Sequence, residues 1–253
     1  MLQSQPKYNI YPTLLDAFAS YLNSSQVYQK YYGFTENPQI SEEEFEQKKF
    51  GELIGKINRV PLEDSYAADK GTMFNEIIDC LVERRKSKQM HLVSDIENHL
   101  IVAQWKGITE GFNIHDCKTI AGALKGSVCQ TFHEGFLETR YGVVRMYGFT
   151  DFLLPFRIVD LKTTSNYSAF KYRENWQHIV YPYLMHFNGN FVSDFTYLIY
   201  KWKKDGGEIF EEEYRYEEGR DLPLLVEIVE QFIEFLEANR EVITDGKIFC
   251  KAS

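Results

Sequence analysis

Absences set the first limits on this chain. No apolar run approaches the roughly 20 residues of a membrane-spanning helix, so neither a transmembrane helix nor a membrane partner is expected. The N-terminal MLQSQPKYNIYPTLL has no basic flank, no long apolar segment and no small-residue cleavage site, which reads as mature sequence of a cytosolic (cytoplasmic) protein. Cysteine is scarce. Cys80, Cys117, Cys129 and Cys250 stand apart without a CxxC pair, so reduced structural thiols are expected rather than zinc ligands. Neither GxxxxGKS nor GxxxxGKT occurs, so any helicase activity would belong to another subunit.

Positive charge is in short supply as well. The 28 Lys and Arg are outnumbered by 37 Asp and Glu, for a net charge of -9, and a strongly basic nucleic-acid footprint is absent. The deficit is local. Between Gly207 and Glu241 stand twelve acids and three bases, and the remainder carries 25 of each. Most of the chain is therefore neutral and free to shape a local positive groove.

What is present supports a large core. The 253 residues approach the size at which one core stops growing, 44% of them are hydrophobic, and Phe and Tyr number 19 and 17. Apolar residues at helical spacing predict helices over 10–24, from the low 40s to Gly55, over 67–85, over 93–106 and over 116–124. Runs rich in Phe, Tyr and Val then predict strands at 129–136, 142–154 and 158–163, a helix at 168–187, strands at 195–202 and 209–216, and an amphipathic helix at 222–239. The order implies one α/β unit: a helical N-terminal region over about 1–125, a core over about 126–205 whose mixed central sheet is flanked by helices, and an acidic C-terminal extension over about 206–253 that ends in a helix.

One stretch, YGFTDFLLPFRIVDLKTT at 147–164, carries charge where apolar residues prevail. If 158–163 is a strand, Asp160 and Lys162 share a face while Leu161 points into the core. A turn near Pro155 would fold Asp151 back beside Asp160. Two carboxylates meeting in a sheet repel each other, and a divalent cation resolves the repulsion; oxygen donors suit magnesium or manganese. With Lys162 to offset charge on a phosphoryl oxygen, the set has the parts that phosphodiester hydrolysis needs. The rival reading is a strand-face Asp160–Lys162 ion pair with an unrelated acid at a turn.

The wider constellation goes further. Gly148-Phe149-Thr150-Asp151, then Asp160-Leu161-Lys162, then Gln177-His178-Ile179-Val180-Tyr181 resembles the GxxD strand, D/E-x-K strand and QxxxY helix of the PD-(D/E)XK nuclease superfamily. The nearest likeness is to its RecB-like branch, which includes phage recombination exonucleases and CRISPR-adaptation nucleases. The resemblance implies a restriction-endonuclease-like core and Mg2+- or Mn2+-dependent cleavage of DNA. Carried over, Asp151 and Asp160 hold the metal with the Leu161 carbonyl, Lys162 is the catalytic lysine, and Gln177 and Tyr181 face the site from a helix. Tyr181 as a plain core residue is a serious rival. Gly71-Thr72-Met73-Phe74-Asn75-Glu76 is similar to the family's GxxxHE helix, with Asn75 where the histidine stands. Adjacent helical residues point about 100° apart, so one of the two faces the metal, and Glu76 is preferred as the harder ligand. The iron–sulfur subgroup needs one early cysteine and a late cluster, which are missing, so no iron–sulfur cluster is expected.

Other features have two readings each. His178 invites a role as general base, but a lone helical histidine is more often a packing residue. Tyr167, Phe170, Tyr172 and Trp176, with Lys171 and Arg173, form either a stacking rim for DNA ends or helix-to-sheet packing. Lys201, Lys203 and Lys204 around Trp202 form a candidate backbone-contact patch, and Glu211–Glu213 are expected to face away from DNA. The leading expectation is an exonuclease acting on linear DNA ends in recombination or repair, with a single-strand annealing or recombination protein as partner and a homo-oligomer as a plausible state. The alternatives are an endonuclease or structure-specific nuclease with the same core, or a catalytically silent nucleic-acid-binding or assembly module that retains the fold.

Overall fold

The computed structural model describes residues 5–61 and 65–250. A short strand, β1 (Tyr8–Ile10), leads into α1 (Pro12–Leu22), where proline opens the helix, then α2 (Ser24–Tyr32) and α3 (Glu42–Ile57). The start of α3 is fixed by a reciprocal cap between Ser41 and Glu44. Next come α4 (Tyr66–Glu83), three strands β2 (His91–Asp95), β3 (Leu100–Trp105) and β4 (Ile108–Asn113), and α5 (Ile114–Ala123). A long hairpin follows, β5 (Val128–Thr139) and β6 (Gly142–Leu153), then β7 (Arg157–Thr164), α6 (Gln177–Phe187), β8 (Asp194–Lys203), β9 (Gly206–Arg215) and α7 (Glu218–Ala238).

The strands form a mixed central sheet in the order β1-β6-β7-β8-β9, with β5 also paired to β6, and a separate antiparallel sheet β2-β3-β4. β1 runs parallel to β6 and β7 parallel to β8, and the remaining pairs are antiparallel. One core lies between the sheet and α1, α6 and α7, centred on Phe18, Val180, Phe195 and Phe232. A second core lies on the other side, where Met73, Phe74 and Ile77 of α4 and Cys117 of α5 meet Phe112, Phe152, Leu161 and Tyr200. Helices thus flank the central sheet on both faces, the α/β arrangement expected. All four cysteines are free; Cys117 and Cys129 belong to the second core, Cys80 is buried beside it, and Cys250 is half-buried.

Three local expectations are overturned. Residues 93–106 form β2 and β3 instead of a helix, so the N-terminal region about 1–125 is not all helical. LVSDIENHLIVAQW places apolar residues at both spacings, and the turn decides it: Asp95 accepts from the Asn98 amide and His99 adopts a positive φ of 55°. Residues 24–32 form α2, where no helix was expected. The helix assigned to 168–187 begins only at Gln177; residues 165–176 are a series of turns. Among the described residues, no helix is long and apolar enough to cross a membrane.

Candidate active site

The site arises where β6 and β7 part. Their ladder pairs Phe152 with Val159 and Leu153 with Ile158, and there it stops. Asp151 and Asp160 occupy the next position, at the mouth of the gap, and β7 turns to pair with β8 instead. Across the gap, the Leu161 amide donates to Asp151 Oδ2 at 2.9 Å. The strand alternation expected for β7 holds: Leu161 enters the second core while Asp160 and Lys162 face α6.

From α6, Gln177 closes a ring. Its Nε2 donates to Asp160 Oδ1 at 2.8 Å, and its Oε1 accepts from Lys162 Nζ at 2.6 Å. Lys162 Nζ in turn lies 2.7 Å from Asp160 Oδ2. Burial alone would depress the Lys162 pKa, but Asp160 and Asp151 outweigh it and raise it, so the ammonium stays charged. That suits a fixed cation and not a proton acceptor. Asp151 is pushed up to about 7, first by desolvation and then by the Asp160 charge, against the opposing pull of Lys162 and the Leu161 amide.

Two glycines let helices approach this gap. A Cβ on Gly148 would meet the Tyr181 ring at 2.9 Å, and one on Gly71 would stand 2.8 Å from the Thr163 hydroxyl. Tyr181 is 5% exposed and stacks on Phe195, and burial holds its phenol well above the ordinary range. It is a core residue that touches Gln177, so both sequence readings of it describe one position.

α4 supplies the far wall. Glu76, the preferred ligand, is instead locked by Arg85, whose Nη1 and Nη2 donate to Oε1 and Oε2 at 2.7 and 3.1 Å. Asn75 Oδ1 is buried and has no hydrogen-bond donor. One turn further on is an acid that sequence reasoning missed: Asp79, 3% exposed, with a buried unpartnered Oδ1 and Arg85 Nη2 3.9 Å from Oδ2. Desolvation lifts its pKa to about 6, and its charge also raises that of Asp151. The signal was available, since Asp79 stands four residues after Asn75 on one helical face.

A second residue was missed on α1. Asp16 Oδ1 accepts from the Trp176 amide at 2.6 Å, which places a carboxylate at the N-terminus of α6, where backbone donors lack partners. Burial raises its pKa to about 6, against that amide and the charges of Lys162 and Lys56. Asp16 thereby fixes the end of the helix that presents Gln177.

The remaining candidates are placed elsewhere. His178 stacks on Tyr214 at 4.3 Å, and burial pushes its pKa down to about 4, so it packs and does not act as a base at the site. Tyr167 packs on Phe210 and Tyr172 on Tyr197, leaving Phe170 as the exposed aromatic of the expected rim, beside the exposed Lys171 and Arg173. Lys201 and Lys203 both pair with Glu208. The acidic run does not wholly face out. Glu212 is 4% exposed and accepts from the Tyr167 and Tyr214 hydroxyls and the Tyr172 amide, because β9 alternates and turns it inward.

Among the described residues, no three His, Cys, Asp or Glu side chains form a group able to hold a metal ion. The donors at the gap are Asp151 and Asp160, with Asp79 of α4 near enough for its charge to act on Asp151. Two facing carboxylates are hard oxygen donors of the kind that magnesium-like cations take, and a pair alone would leave most of such an ion's shell to water or substrate. No family model and no curated protein matches the chain. A solved structure, the crystal structure of SSO0001, is 12% identical to it over 92% of this chain and 79% of that one, with a TM-score of 0.47, too slight a likeness to carry an argument.

Proposed function

We propose that this protein is a magnesium- or manganese-dependent deoxyribonuclease with a restriction-endonuclease-like core, acting as an exonuclease on linear DNA ends in recombination or repair. The closed Asp160–Lys162–Gln177 ring beside Asp151 carries the reading. A strand-face ion pair alone accounts neither for a glutamine that satisfies both partners nor for a second carboxylate left with a raised pKa at the mouth of the gap.

In this reading, Asp151, Asp160 and the Leu161 carbonyl hold the cation, with Asp79 of α4 on the Asp151 side and Asn75 one turn before it on the same helix face. The cation, when bound, would acidify a water and draw charge off the phosphoryl oxygens. Lys162 presents a fixed positive charge to the same oxygens, in a partly desolvated place where such charge counts for more than in water. Gln177 holds Lys162 and Asp160 in register and Tyr181 backs Gln177. Glu76 stabilises the end of α4 through Arg85.

The test is degradation of end-labelled linear duplex and of closed circles with Mg2+ or Mn2+, wild type against Lys162→Ala. Metal-dependent loss of linear DNA, spared circles, and a fall of at least roughly 100-fold in the variant are expected. Cut circles would make the protein an endonuclease. No cutting of either form by folded wild type would remove the catalytic reading and leave a binding module.

A further inference from the structure

β6 carries an outward row that the proposed chemistry does not use. Val144, Met146 and Gly148 face the first core and are buried, while Arg145, Tyr147 and Phe149 form the opposite row; the alternation breaks at Asp151, beyond which Phe152 enters the second core. At strand rise that row runs about 13 Å and stops two residues short of the candidate catalytic acid. Phe149 is 55% exposed, and its cross-strand partner Phe132 on β5 is 44% exposed. Their rings lie 5.1 Å apart, a paired aromatic surface left open to solvent two residues from Asp151.

The flank of this row is basic. A cleft of about 760 Å³ includes Arg59, Phe132, Arg145, Tyr147 and Lys247. Arg59 also lines a neighbouring cleft of about 1080 Å³ between α1 and α3, with Lys49 and Lys56. Together these clefts hold five bases and three acids, in a chain whose net charge is -9. Arg145 sits over the Tyr147 ring at 5.0 Å. Both arginines have an acidic neighbour, Arg59 in Asp245 and Arg145 in Glu134, yet their side chains keep 46% and 33% exposure.

We infer that this row is a binding track for single-stranded DNA, with unpaired bases stacking on Phe132 and Phe149 and the backbone lying along Arg145 and Arg59 toward Asp151. Exposed ring faces beside spaced cations are what a sequence-indifferent single-strand site requires, because every base has a face to stack. A blunt duplex keeps its bases inside the helix and offers these rings nothing. The inference deepens the nuclease reading and rests on it for what lies at the end of the track: the strand is taken as an unpaired end.

Fluorescence anisotropy with a labelled homopyrimidine strand and a blunt duplex of equal length tests it, in a Lys162→Ala background that leaves DNA uncut. Tighter binding of the single strand is expected. Joint Phe132→Ala and Phe149→Ala should weaken it by at least roughly 10-fold, with the duplex unaffected. Joint Phe132→Leu and Phe149→Leu keeps the apolar area without rings and should fail in the same way while melting like the parent. Undiminished single-strand binding in both double variants overturns the track. So does self-association in light scattering that the double variants abolish without any change in DNA binding, since the rings would then cover a second copy. Ring-dependent binding by a protein with Lys162 intact that cuts nothing would sink the nuclease reading alone. Cutting that persists with ring-independent binding would sink the track alone.

Discussion

His178 separates burial from chemistry. Its pKa falls from the ordinary 6.5 to about 4 because desolvation against Tyr214 penalises the charged ring. The unfolded chain takes up a proton that the folded chain refuses, so this residue removes stability progressively as pH falls from 6.5 toward 4. The slope is about 1.4 kcal/mol per pH unit. His178→Phe keeps the stacked ring without the titration. Thermal melts of the two proteins should run parallel above pH 7 and diverge by about 2 kcal/mol near pH 5, with the variant the more stable. Asp16, Asp79 and Asp151, whose pKa values are raised, act with the opposite sign but are common to both proteins and cancel. Parallel melts down to pH 5 would show that the ring protonates in the folded state.

At the scale of elements, the site depends on how closely α6 lies against β6. Gly148→Ala drives a methyl into the Tyr181 ring at 2.9 Å, and one of the two must give. The expected cost is about 1–3 kcal/mol, read from urea midpoints at unchanged slope; under the proposed nuclease function cleavage is lost with it, because Tyr181 backs Gln177. A variant as stable and active as the parent would mean that the contact is slack. The same contact explains how much could be read in advance. Gly148, Asp151, Asp160, Lys162, Gln177 and Tyr181 lie within 34 consecutive residues, and strand and helix periods place them on facing surfaces. Asp16 escaped because its partner Trp176 lies 160 residues away, a pairing that no local pattern encodes. The Arg85 partner of Glu76 was not legible because it lies beyond the end of α4. β2 and β3 were misjudged because short apolar runs fit both periods.

For the whole molecule, the proposed function makes linkage between a cation and the fold the quantity to measure. Asp151 and Asp160 repel across the gap in the metal-free protein, and an ion bound only by the folded state raises stability by mass action. Mg2+ or Mn2+ at about 100 times its dissociation constant should add about 2.7 kcal/mol. Asp151→Asn should melt higher than wild type without metal and lose the metal-induced rise. Calorimetric scans with and without either ion check both parts, and an equal rise in wild type and variant would place the cation elsewhere.

The distribution of cysteine gives the two cores unequal visibility. Burial pushes the thiols of Cys80, Cys117 and Cys129 up to about 12, and an alkylating reagent attacks only the thiolate. Cys117 and Cys129 sit in the core beneath α4 and α5, whereas the core beneath α1, α6 and α7 contains no cysteine. Pulse alkylation of Cys117 therefore acts as a clock for one half of the molecule, counting each opening of that core and ignoring the other. Set beside amide exchange in α7, its rate distinguishes a chain that breathes as one cooperative body from a pair of cores that open independently.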